Sequence, residues 1–194
     1  MKTETTLSRP VRIVVIGAGN RAHKYLEYAR RNPEQLRLAA IVEVNDLRRR
    51  AMADAFGLPD KYCYAHYDDF FAERLDADMV LISTPENAHF DPAVKAIDAG
   101  YHVLLEKPIA QRLDECREIA RCARRRGVLV GVCHVLRYHP YFAKIRELVA
   151  SGRLGHVVSV NHTASVGLDR ATHSYVRGIF RRESEANPIL LAKC

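Results

Sequence analysis

Short apolar runs alternate along this chain with segments whose apolar residues recur at helical spacing. Val11–Ile16 is rich in β-branched residues, and Ala22, Tyr25, Leu26 and Ala29 then fall on one face of a helix. Leu36–Val44 reads as a second strand. Asp46 is placed to cap a helix through Ala55, and Gly57 to end it in the left-handed conformation. Asp78–Ile82, Tyr101–Leu105 and Val128–Val132 read as three more strands. Between them, Asp91-Pro92 reads as an N-cap followed by a first-turn proline, in a helix that Gly100 closes. Leu113, Cys116, Ile119 with Ala120, and Ala123 line a face of the next helix, which Gly127 ends. Strands that are nearly continuous apolar runs are buried on both faces, and amphipathic helices between them imply parallel neighbours. The pattern predicts a doubly wound α/β domain with a parallel sheet over residues 9–133.

The pattern then changes. Pro140–Ala150 predicts a helix with Phe142, Ile145, Leu148 and Val149 on its apolar face, stopped by "SGRLG". From His156 to Val166 the chain alternates, with Val158, Val160, His162, Ala164 and Val166 on one side. That is the pattern of a strand with one buried face, as in an antiparallel sheet. Residues 134–194 are therefore expected to be the incomplete start of an α+β domain.

Composition adds limits. At 48% hydrophobic and 27% charged residues, the chain has an ordinary globular mixture. No apolar run approaches membrane length, and "MKTETTLSRP" has no apolar core of a secretory leader, so no membrane partner is expected. The net charge of +7 gathers in "LRRR", "RCARRRG" and "FRRE". No basic-aromatic motif accompanies these runs, so they read as solvated helix faces, with attraction of a phosphorylated or acidic ligand as the alternative, and no nucleic-acid partner is expected. The five cysteines form no C-x-x-C pair, which suggests neither a zinc site nor a disulfide framework. Thiols in a reducing cytoplasm fit, with Cys116 and Cys133 as small core residues.

Four stretches carry candidate chemistry. Gly17-x-Gly19-x-x-Ala22 follows a strand and opens a helix. Gly17 would permit a tight turn, Gly19 would let backbone N–H groups approach a diphosphate, and Ala22 would keep the helix close to the sheet. A bare structural turn is the alternative. Glu43, at a strand end, is placed to accept from both hydroxyls of an adenine ribose and to repel a 2′-phosphate, which favours NAD. Arg48 and Arg49 pull the other way, and a solvated strand end is the plain alternative. "STPENAHF" leaves the carboxyl end of a strand, where such sheets bind ligands; its His89 could also be a surface histidine. In "LLEKPIA", Lys107 could neutralise an alkoxide or donate a proton to a carbonyl oxygen, or simply be a solvated lysine.

Together, "VVIGAGNRA", "STPENAHFDPAVKAIDAGYHVLLEKPIA" and "HVLRYHPYFAKIRELVASGRLG" resemble the Gfo/Idh/MocA family of nicotinamide-dependent oxidoreductases, from about residue 9 onward. The resemblance implies an N-terminal Rossmann domain holding NAD or NADP, and a second domain with an open, mostly antiparallel sheet. It implies hydride transfer between nicotinamide and a CH–OH group of a sugar-like or polyol substrate. Lys107 is the implied catalytic residue. Gly17, Gly19, Asn20, Arg21, Glu43, Ser83, Thr84, Pro85, His89, Glu106, Lys107 and Arg137 are the implied cofactor contacts, and His173 and Arg177 in "HSYVRGIFR" the implied substrate contacts. The Lys107–Pro108 peptide is a candidate for the cis form. A homo-oligomer through the second domain's sheet is expected, with no metal.

Members of that family are usually much longer, and their aspartate–histidine motif follows "ILLAK"-like segments. Here the chain reaches Cys194 before that motif, so it is expected to be part of a longer enzyme. An NAD-dependent glycosidase and a non-catalytic dinucleotide-binding module are the rival functions.

Overall fold

Valine and isoleucine dominate the first strand, β1 (Val11–Ile16), because it lies in the middle of a sheet covered on both sides. Alternation sends Val14 and Ile16 to one face and Ile13 and Val15 to the other, and all four are buried. The computed structural model describes residues 8–163, 165, 167–178 and 180–182. In it β1 is followed by α1 (Asn20–Arg31), β2 (Leu36–Val42), α2 (Asp46–Phe56), β3 (Cys63–Tyr64), α3 (Tyr67–Glu73), β4 (Met79–Ile82), α4 (Phe90–Asp98), β5 (His102–Leu105), α5 (Leu113–Arg126) and β6 (Val130–Val132). The sheet order is β3-β2-β1-β4-β5-β6, and every pair is parallel.

Helices cover both faces. Ala22, Leu26 and Ala29 of α1 pack with Met52 of α2 against Ile13, Val15, Ile41 and Leu81. On the other face Phe70, Ala93, Ile97, Ile119 and Cys122 pack against Val14, Ile16, Val80, Ile82 and Leu105. Chain order runs outward from β1 in one direction, then restarts at β4 and runs the other way. The crevice between β1 and β4 is therefore the topological switch point, the place where such sheets take ligands.

Several boundaries differ from the sequence pattern. β3 and α3 fill the stretch between Gly57 and Asp78 that the pattern left unassigned. A two-residue edge strand is too short to show alternation, and adjacent Phe70 and Phe71 blur the helical period. Asn45, not Asp46, caps α2: its side chain accepts from the Arg48 N–H at 3.0 Å. α4 begins at Phe90, so Asp91 and Pro92 lie inside its first turn. On α5 the buried face is Ile119 and Cys122, whereas Leu113 is 65% exposed. Cys133 is buried as expected, but Cys116 is only half-buried.

Beyond β6 come a 3-10 turn (Val135–Tyr138), α6 (Pro140–Ala150), α7 (Leu168–Ala171) and a π-helical turn (Thr172–Val176). α6 has the predicted bounds, but none of its residues is buried. The strand expected from His156 does not form over 156–163, and Val158 and Val160 are 89% and 82% exposed. A one-faced strand needs partners to bond and cover it, and the described residues supply none. The expected antiparallel sheet is thus not seen among the described residues, and Ala164, Val166 and the segment 183–194, including "PILLAKC", lie outside them. No helix among the described residues is long and apolar enough to cross a membrane.

Candidate functional site

Because all six strands are parallel, the loops after β1, β2, β4 and β5 emerge at one edge of the sheet. Gly17, Glu43, Ser83 and Lys107 lie in these loops. The first two glycines do different work. Gly17 has φ of +93°, and a Cβ built there would stand 2.8 Å from Thr84 N and 2.9 Å from Ser83 C and O. It is glycine because the β1 and β4 loops touch: Ser83 N donates to Ile16 O at 2.9 Å and Ser83 Oγ to Gly17 O at 2.7 Å. Gly19 has ordinary φ of −80°, and a Cβ there would meet nothing within 4 Å. Among the described residues no steric contact requires that glycine. Gly19 caps α1, a helix of 12 residues with no side-chain cap and no acidic residue in its first turn. Open space therefore faces first-turn N–H groups with no side-chain acceptor, a fit for a diphosphate.

Glu43 is 8% exposed, and both its oxygens are engaged. Oε2 accepts from Ala18 N at 2.7 Å and Oε1 from Asn45 N at 2.9 Å. The carboxylate pins the glycine turn to the start of α2, a duty the strand-end position alone does not reveal. Each oxygen keeps one further lone pair for a ribose hydroxyl. Arg49 donates to Glu43 O and to Asp46 Oδ1, both at 2.6 Å, while Arg48 is exposed. Glu43→Gln is expected to cost about 1–3 kcal/mol in chemical denaturation, because either amide orientation turns an NH2 toward one of the two N–H donors. A change below about 0.5 kcal/mol would remove the bracing role.

The β4 loop is also held from within. Thr84 Oγ1 donates to Ala88 O at 2.9 Å. His89 is 1% exposed, with Nδ1 2.8 Å from Pro108 O and Nε2 3.1 Å from Thr84 O. It is a buried strut between two loops, not a surface histidine. The Lys107–Pro108 peptide is cis.

Glu106 is 6% exposed. Its Oε2 accepts from the Lys107 N–H at 3.0 Å, and its Oε1 accepts from Tyr25 OH at 2.5 Å, with Arg21 Nε 3.6 Å away. Burial, then hydrogen bonding with Cys133 and Glu106, pushes the Tyr25 phenol above its ordinary pKa; burial pushes the Cys133 thiol up as well. Tyr25 is the site residue that helical spacing conceals, since the spacing marks it as part of an apolar face. The available signal was its hydroxyl, which needs a partner when buried.

Asn20 and Arg21 are exposed at the start of α1, and Pro85 is exposed in the β4 loop. Arg137 is exposed in the 3-10 turn after β6. His173 and Arg177 are exposed at the π-helical turn and its end, and no hydrogen bond or ion pair among the described residues links their side chains to the loops above.

Comparison with known proteins bears on the same stretch. The family described as "Oxidoreductase family, NAD-binding Rossmann fold", Gfo/Idh/MocA, matches residues 11–134. The chain belongs to this family. An uncharacterised oxidoreductase of Rhizobium meliloti is 32% identical over 150 residues, 77% of this chain and 44% of that protein. A D-xylose 1-dehydrogenase (NADP+) of Haloferax volcanii is 36% identical over 130 residues, 67% of this chain and 39% of that protein. Among solved structures, an inositol dehydrogenase homologue from Azotobacter vinelandii, complexed with NADH and myo-inositol, superposes with a TM-score of 0.68 at 25% identity. That match covers 78% of this chain and 42% of the other. The chain thus spans less than half the length of these relatives. The Gfo/Idh/MocA motifs it carries are those of the dinucleotide-binding half.

Proposed function

We propose that this chain holds NAD(P) along the crevice between β1 and β4. It would serve an oxidoreductase that interconverts a CH–OH group and a carbonyl in a sugar-like or polyol substrate. The observation that carries the proposal is the open cradle at Gly19, before the uncapped start of α1. The α1 N–H groups and Arg21 would bind the diphosphate. Glu43 would accept from the adenine ribose hydroxyls and disfavour a 2′-phosphate, so NAD is the preferred cofactor. Arg49 supports this, because its guanidinium is committed to Glu43 O and Asp46. Ser83, Thr84, Pro85 and His89 would shape the nicotinamide end from below, and Arg137 would reach it from beyond β6.

The bound nicotinamide supplies or accepts the hydride. Lys107 Nζ acts on the substrate oxygen, donating a proton as a carbonyl is reduced and removing one as a hydroxyl is oxidised. His173 and Arg177 are proposed substrate contacts, in a second domain built on an antiparallel sheet through which copies associate. A cytoplasmic location completes the proposal.

Titration of the folded protein with NADH and NADPH, followed by nicotinamide fluorescence, tests it. Saturable binding is expected, with NADH favoured by about tenfold, equivalent to about 1.4 kcal/mol. No saturable binding of either sinks the proposal; equal affinities remove only the role of Glu43 in cofactor choice.

A further inference from the structure

The Glu106–Lys107–Pro108 loop is held from two sides. His89 meets Pro108 O on one side. On the other, Glu106 is a buried carboxylate whose two oxygens serve different elements. Oε2 holds the Lys107 N–H, while Oε1 takes the Tyr25 hydroxyl and lies near Arg21. Tyr25 and Arg21 are one helical turn apart on α1, the helix whose start forms the proposed diphosphate cradle. The helix that would bind the cofactor's anionic middle and the loop that carries Lys107 therefore share one carboxylate.

The two α1 groups are not equivalent. Tyr25 is half-buried and its bond to Glu106 is short at 2.5 Å. Arg21 is 47% exposed in its side chain and stands 3.6 Å off, beyond hydrogen-bond length. A diphosphate at the start of α1 competes for that guanidinium with two negative charges or more. Once Arg21 turns to it, the donors left on Glu106 among the described residues are Tyr25 OH and the Lys107 N–H, and both bonds to the less neutralised carboxylate strengthen.

The geometry points to Tyr25 as a positioning residue that, through Glu106, couples diphosphate binding at α1 to the placement of Lys107. This inference rests on the proposed dinucleotide site, and the probe separates the two. ADP carries the adenosine and diphosphate but no nicotinamide, so it would fill the cradle without touching Lys107. The measurement is hydrogen exchange of the Lys107 backbone N–H by NMR, with and without ADP, in the wild-type chain and in Y25F.

In the wild type ADP is expected to slow that exchange by about fivefold or more, the lower end of usual coupling between sites. Y25F is expected to bind ADP within about threefold of wild type, with the slowing reduced below about twofold. Equal slowing in both proteins, or none in a wild type that binds ADP, overturns the coupling alone. Failure of the folded wild type to bind either ADP or NADH overturns the dinucleotide site, and the coupling falls with it. Should Y25F not fold, the Cζ chemical shift of Tyr25 in the wild type decides. A shift that moves with ADP in step with the Lys107 amide supports the coupling, and an unmoved shift overturns it.

Discussion

Gly17→Ala is expected to destabilise the protein by about 2–5 kcal/mol, whereas Gly19→Ala should change stability by no more than about 1 kcal/mol. The two residues sit two positions apart in one motif, yet they answer to different constraints. At Gly17 a side chain must adopt φ of +93° and must also enter space held by the Ser83–Thr84 backbone. Backbone cannot give way as a flexible side chain can, so the β1 and β4 loops must separate. That breaks the Ser83 bonds to Ile16 O and Gly17 O. At Gly19 the backbone is ordinary and the space is empty. A methyl group there projects into the cradle and should weaken NADH binding by about tenfold or more, about 1.4 kcal/mol. Thermal or urea unfolding of both variants, followed by NADH titration of Gly19→Ala, checks the pair. Unchanged NADH affinity in Gly19→Ala would mean the diphosphate does not lie over that glycine.

Lys107→Met is expected to cut turnover by about 10²- to 10⁴-fold, the usual scale for losing a positioned proton-transfer group. Affinity for NADH should stay within about threefold, or about 0.7 kcal/mol. The separation follows from the loop's construction. Glu106 holds residue 107 through its backbone N–H, and His89 meets the carbonyl of Pro108, so neither tie needs the lysine amine. Methionine keeps the length of the side chain and removes its charge and proton. The comparison is made in the full-length enzyme, with a substrate that supports its turnover, measuring kcat and NADH affinity on the same preparations. Turnover within about threefold of wild type would take Lys107 out of the mechanism.

Much of the site was legible because its motifs stand at strand ends. Glycines after an apolar run, a carboxylate after the second strand and a lysine after β5 all lie where parallel strands deliver their loops. Their partners were not legible. Ala18 and Glu43 are 25 positions apart, Tyr25 and Glu106 are 81 apart, and His89 and Pro108 are 19 apart. Spacing along the chain carries no trace of such pairs. Ser83 and Thr84 show the same limit from another side: their hydroxyls are spent on Gly17 O and Ala88 O. The strand expected from His156 is not seen over 156–163 for a related reason. Its alternation records a preference for one buried face, but a strand exists only where another strand accepts its hydrogen bonds.

By itself the sequence determined the order of strands and helices to β6 apart from β3 and α3, the parallel sheet and the family, because burial on both faces writes uninterrupted apolar runs and a diphosphate turn requires glycine. Tertiary structure alone decided that Gly17 answers to the β4 loop and Gly19 to open space. It also decided that Glu43 and His89 are buried struts, and that Tyr25 joins α1 to the loop of Lys107. Those roles depend on which strand ends meet across the switch point, and distance in space is not a property of any segment of the chain.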